Sequence, residues 1–121
     1  MAGYFAADGH RMLRATGWYL VSTSIDLRCG MDRLLVKVQL LAGDTQEGGA
    51  YIFRNRSGTR IKMLLCDSTG VWLCTRRLHQ GRFIWPQSGE DVCLLSVEQF
   101  EWLCMGVDWQ RLSTKPLAKI V

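Results

Sequence analysis

Between Ala50 and Trp85 the chain is cut into short apolar and aromatic runs by three turn signals, Ser57-Gly58, Ser68-Thr69-Gly70 and Gln80-Gly81. Runs of this length bounded by turn residues are too short for stable helices and read as strands, so the segment predicts an antiparallel meander of four strands. Everything else in the chain must pack against that sheet.

The flanking segments supply two helices. MDRLLVKVQLLAG places Met31, Leu34, Leu35, Val38 and Leu41 on one helical face, with Gly43 where a C-cap is expected. Near the other end, Ser96-Val97-Glu98-Gln99 has the S-x-x-Q form of a capping box. It opens a helix whose face is Val97, Phe100, Leu103, Cys104 and Val107, with Gly106 placed to end it. Short strands are expected at Trp18 to Ser22 and at Val92 to Leu95. With 121 residues, 48% of them hydrophobic, the chain suits one core. The expected architecture is a single α+β domain over residues 17–110, an antiparallel sheet of four to six strands with two helices. Residues 1–16 are polar and aperiodic and read as a loose lead-in; residues 111–121 read as a tail.

The net charge of +4 is unevenly spread. Tyr51 to Trp85 holds seven basic residues, Arg54, Arg56, Arg60, Lys62, Arg76, Arg77 and Arg82, against the single acid Asp67, a local excess of +6. The rest of the chain is net negative at −2. Cys29, Cys66, Cys74, Cys93 and Cys104 are odd in number and include no C-x-x-C pair, which suggests reduced thiols and no metal. The first residues lack the unbroken apolar core of a signal peptide, and no apolar run is long enough to span a membrane. With no export signal and reduced thiols, a cytoplasmic location is expected, nucleoid-associated if DNA is bound.

Hairpin register decides which of the basic residues share a face. A two-residue Ser57-Gly58 loop would pair Arg54 with Ile61 and Phe53 with Lys62, mixing charge with apolar bulk on both faces. A three-residue loop, Arg56-Ser57-Gly58, would instead set Arg54 against Arg60. It would also separate Tyr51, Phe53, Ile61 and Met63 from a basic face. That second register is the one expected, with Arg76 across from Lys62 on the next strand and Trp72 opposite Cys66. Like charges facing each other across a hairpin cost stability, so a face of this kind suits a polyanion such as nucleic acid. The alternative is a solvated face or a charge-protected edge.

No catalytic constellation emerges. The chain has no H-E-x-x-H, P-loop or G-x-S-x-G motif, and His10 and His79 stand apart from any convincing nucleophile. Asp26 has an electrostatic reason to sit just before the first helix. Most of the five tryptophans should pack in the core. Trp109, in Gly106-Val107-Asp108-Trp109 just past the second helix, is the expected exposed aromatic, and with Asp108 the candidate partner-binding site.

The segments STSIDLRCGMDRL and YIFRNRSGTRIKMLLCDSTGVWLCTRRLHQGRFIWP, with the helix closing on GVDW, resemble in order and spacing the TnpB-type accessory protein of insertion sequence family sixty-six. The most specific part is R-L-x-x-G-R-F-x-W-P, Arg77 to Pro86. The resemblance implies a small bacterial, non-catalytic protein that assists transposition of a mobile element, DNA recombination by a separate transposase. It implies no cofactor and no catalytic residues. Where the family usually has T-D-M-R-K, R-G-D-R and W-D-G, this chain has Ile25-Asp26-Leu27-Arg28-Cys29, Ser57-Gly58-Thr59-Arg60 and Cys66-Asp67-Ser68. The expected partners are transposon-end DNA, met through the basic hairpin, and the transposase. The alternative is an adaptor that docks on the transposase without touching DNA.

Overall fold

The computed structural model of the chain describes residues 3–6, 12–87 and 89–112. His10 and most of the expected tail, residues 113–121, lie outside the described residues. Five strands form one open sheet in the order β6-β5-β4-β3-β7, where β3 is Gly17–Val21, β4 Gly49–Arg54, β5 Arg60–Cys66, β6 Val71–Arg77 and β7 Val92–Leu95. Among the described residues two helices of eight residues or more complete the domain, α1 at Met31–Ala42 and α2 at Val97–Cys104, with a short helical turn at 109–112. The result is the expected single α+β domain, mostly antiparallel. Within the expected lead-in, β1 (Gly3–Ala6) and β2 (Met12–Ala15) pair as a separate antiparallel ribbon.

The helix ends follow the local signals. Ser96 Oγ accepts from the Gln99 N–H while the Gln99 side chain accepts from the Ser96 N–H, a complete capping box. Gly43 has φ 81° and closes α1 through a bond from its N–H to Gln39 O.

The sheet departs from the expected meander in three ways. First, β3 and β4 are parallel, Trp18 beside Ala50 and Leu20 beside Ile52, with α1 as the crossover that parallel neighbours require. Second, the segment holds three strands and not four. Residues 82–87 form a strap whose bonds go to loops and strand ends: Phe83 N–H to Gly58 O (2.8 Å) and Trp85 Nε1 to Val21 O (2.8 Å).

Third, the hairpin takes the other register. Arg54 stands opposite Ile61 and Phe53 opposite Lys62; the next ladder pairs Ile61 with Arg76, Lys62 with Thr75 and Leu65 with Trp72. The three-residue loop was favoured on the assumption that one sheet face meets water. In fact both faces are covered. Val38 and Leu34 of α1 pack over Tyr51, Phe53 and Leu64, while Phe100 and Leu103 of α2, with Phe83 and Trp109, pack over Trp18, Ile52, Ile61 and Met63. A strand covered on both sides is apolar along its length, and all of Gly49–Phe53 is buried. Alternation therefore could not report the register.

Candidate nucleic-acid interface

The loop that closes the hairpin is four residues, Arg56 to Thr59, held by one side chain. Asn55 Oδ1 accepts from the N–H groups of Thr59 and Arg60, both at 3.0 Å, and Asn55 Nδ2 donates to Thr59 Oγ1. The Gly58 N–H closes a turn onto Asn55 O, and Gly58 has the positive φ (75°) expected of it. Asn at the first and Gly at the fourth position is a type I turn preference, and that is the signal by which Asn55 could have been found in the sequence.

The seven basic residues divide by strand face. Arg54 lies on the α2 side, half-buried, with its guanidinium carbon 5.8 Å from the Trp85 ring centroid and Nη1 reaching Arg56 O at 3.5 Å. Its Nε is buried without a hydrogen-bond partner. Arg76, on the same side, donates from Nε to Cys104 O at 2.6 Å, bringing a cation to the C-terminal end of α2, which has no basic residue in its own last turn. Lys62, on the α1 side, buries part of its stem and donates from Nζ to Leu27 O. The single basic face predicted for Arg54, Arg60 and Lys62 therefore does not form, because Arg54 pairs with Ile61, so even positions of β4 share a side with odd positions of β5 and Arg54 faces away from Arg60 and Lys62.

A smaller group does assemble. Arg60 pairs with Arg77 across the β5–β6 ladder, both exposed. Leu78 N–H donates to Thr59 O and Phe83 N–H to Gly58 O, so the turn after β6 and the strap are tied to the hairpin loop. Arg82 is thereby brought beside the tip, its Cβ 3.8 Å from where a Cβ on Gly58 would stand. Arg56 occupies the loop itself. All four are exposed, and among the described residues none of their side chains makes a hydrogen bond or ion pair; the one ion pair found there is Arg28 with Asp26, at 2.7 Å.

That pair corrects the reading of Asp26. Its carboxylate takes Arg28 Nε, Nη2 and backbone N–H, and these bonds lower its pKa to about 2. The N-cap of α1 is Gly30, so Asp26 stabilises its own loop and does not cap the helix.

Trp109 is likewise not the exposed aromatic that was expected. It is 4% exposed, belongs to the α2-side core, and donates from Nε1 to Ile84 O at 2.8 Å. The turn after α2 folds back so that this indole pins the strap to the sheet, a long-range contact invisible in the local sequence. Asp108 accepts from the Arg111 N–H at the start of the last helical turn. The five cysteines are free, with burial pushing the Cys104 thiol up to about 11. Among the described residues there is no group of three or more His, Cys, Asp or Glu that could hold a metal ion, and no helix is long and apolar enough to cross a membrane.

Fold and site together define a small α+β protein with a basic surface at one end of its sheet. The family model described as IS66 Orf2 like protein matches residues 16–114, and the chain belongs to that family. Its members are accessory proteins of an insertion sequence, which associates the chain with transposition of a mobile element. Two proteins of Sinorhizobium fredii are similar to it. "Uncharacterized protein y4hO" is 34% identical over 93 residues, covering 76% of this chain and 81% of the relative. "Uncharacterized protein y4jC" is 32% identical over 96 residues, covering 78% and 82%. No solved structure matches the chain.

Proposed function

We propose that the protein contacts the phosphate backbone of element DNA through Arg56, Arg60, Arg77 and Arg82, as a non-catalytic accessory to a separate transposase. One observation carries this reading: four exposed guanidinium groups, unpaired among the described residues, gathered at one end of the sheet by backbone bonds between the hairpin loop and the strap. Arginines held together without counter-charge are the footprint of a polyanion site. The aromatic residues nearest this end are engaged elsewhere, Phe83 in the core and Trp85 beneath Arg54, which favours phosphate contact over base stacking. Arg54, Lys62 and Arg76, included in the first expectation, have side chains engaged by contacts within the protein and are assigned to stability. The adaptor reading loses its docking residue with the burial of Trp109.

The test is the salt dependence of binding to duplex element ends. Neutralising about four phosphates gives a slope of log K against log salt of roughly −3.6, and each Arg→Ala change in the group flattens it by roughly 0.9. A slope unaffected by all four substitutions would remove this surface as the DNA contact.

A further inference from the structure

The two helices cover opposite faces of the sheet, and each shows an apolar side chain to water. On α1, Val36 and Leu40 are 54% and 76% exposed, one turn apart, with Arg33 and Lys37 beside them at helical spacing. Just past α2, Met105 is 60% exposed, and Glu98 and Glu101 share that outward side at i−7 and i−4. Among the described residues none of these four charged side chains makes an ion pair or hydrogen bond. The α1 stripe is apolar with basic flanks, its single acid being Asp32 one turn before Val36. On the α2 side Met105 is the exposed apolar residue, preceded by the acids Glu98 and Glu101, with the nearby cation, Arg76, engaged by Cys104 O.

We infer that a second copy of this chain docks the α2 stripe of one molecule on the α1 stripe of the next. Charge complementarity selects the occupant. Stacking α1 on α1 would oppose Arg33 and Lys37 to themselves, and α2 on α2 would do the same with Glu98 and Glu101. Only α1 against α2, with the helices running the same way, sets Arg33 near Glu98, Lys37 near Glu101 and Leu40 near Met105. Because the two stripes lie on opposite sides of the sheet, one molecule cannot satisfy both with a single partner. The contact is heterologous and continues as an open stack. It uses none of Arg56, Arg60, Arg77 or Arg82, so it stands independently of DNA contact. Two short stripes cover less than the roughly 1,600 Å² of a standard interface, which makes the association weak and reversible.

Sedimentation velocity of the full chain across rising concentrations tests this. The wild type is expected to form species beyond a dimer, diminished by added sodium chloride. Leu40→Ser and Met105→Ser change side chains already exposed and leave the fold intact, as circular dichroism would verify; each variant alone is expected to be monomeric. Their equimolar mixture restores one native contact and is expected to give a 1:1 dimer that grows no further. Wild type that stays monomeric into the millimolar range, or stops at a closed dimer, overturns the inference. So does a mixture that remains monomeric, or one variant that associates alone as the wild type does.

Discussion

Arg60 and Arg77 face each other across the β5–β6 ladder on the α1 side of the sheet, both exposed. Directly opposed like charges cost a sheet roughly 0.2–1 kcal/mol. Replacing Arg77 by Ala is therefore expected to raise thermal stability by about that amount while weakening DNA binding and flattening its salt slope. Thermal melts and salt titrations on one preparation measure both. A variant that is less stable and binds unchanged would mean that the pair is structural.

Lys62→Ala and Arg76→Ala should behave in the opposite way. Their amino and guanidinium groups donate to Leu27 O and Cys104 O, so their loss removes a bond to a backbone carbonyl. A cost of about 0.5–1.5 kcal/mol is expected by chemical denaturation, with the salt slope of DNA binding unchanged.

Asn55→Ala leaves the N–H groups of Thr59 and Arg60 without their acceptor and is expected to cost about 1–2 kcal/mol. Asn55→Asp keeps an oxygen at that position and should retain most of the stability. Equal losses in the two variants, read by urea midpoints, would show that the acceptor is not what holds the loop.

Trp109→Ala empties a core site and frees the strap at Ile84 O. About 3–5 kcal/mol of stability should be lost, with fluorescence showing an altered strap. A stable, natively folded variant would contradict the buried placement.

Asp26 has a carboxyl pKa lowered from its ordinary 3.8 to about 2 by its bonds from Arg28. A group whose pKa is depressed in the fold stabilises it above the unfolded value and loses that contribution as pH falls through the folded one. Stability should therefore decline between about pH 4 and pH 2, and Asp26→Asn should reduce that decline. Because the pair is exposed, salt should reduce the effect further. Acid titration of the melting temperature for both proteins is the check.

What the sequence determined by itself was local or family-wide. Both helices, the Ser96/Gln99 capping box, Gly43, and the turn at Gly58 were legible because a cap or a left-handed residue depends on neighbours within a few positions. The local excess of basic residues was legible for the same reason, as was the family through its R-L-x-x-G-R-F-x-W-P motif. Tertiary structure alone decided which arginines stand together. Pairing Arg54 with Ile61 puts Arg54 on one side of the sheet and Arg60 on the other, and that one-residue difference in register follows from α1 and α2 covering both faces. The same holds for Trp109, which is buried because the strap passes beside it with Ile84 O in reach of its indole, a contact across 25 residues. A two-residue side-chain period carries register information only when one face is polar, and here burial on both faces removed that signal.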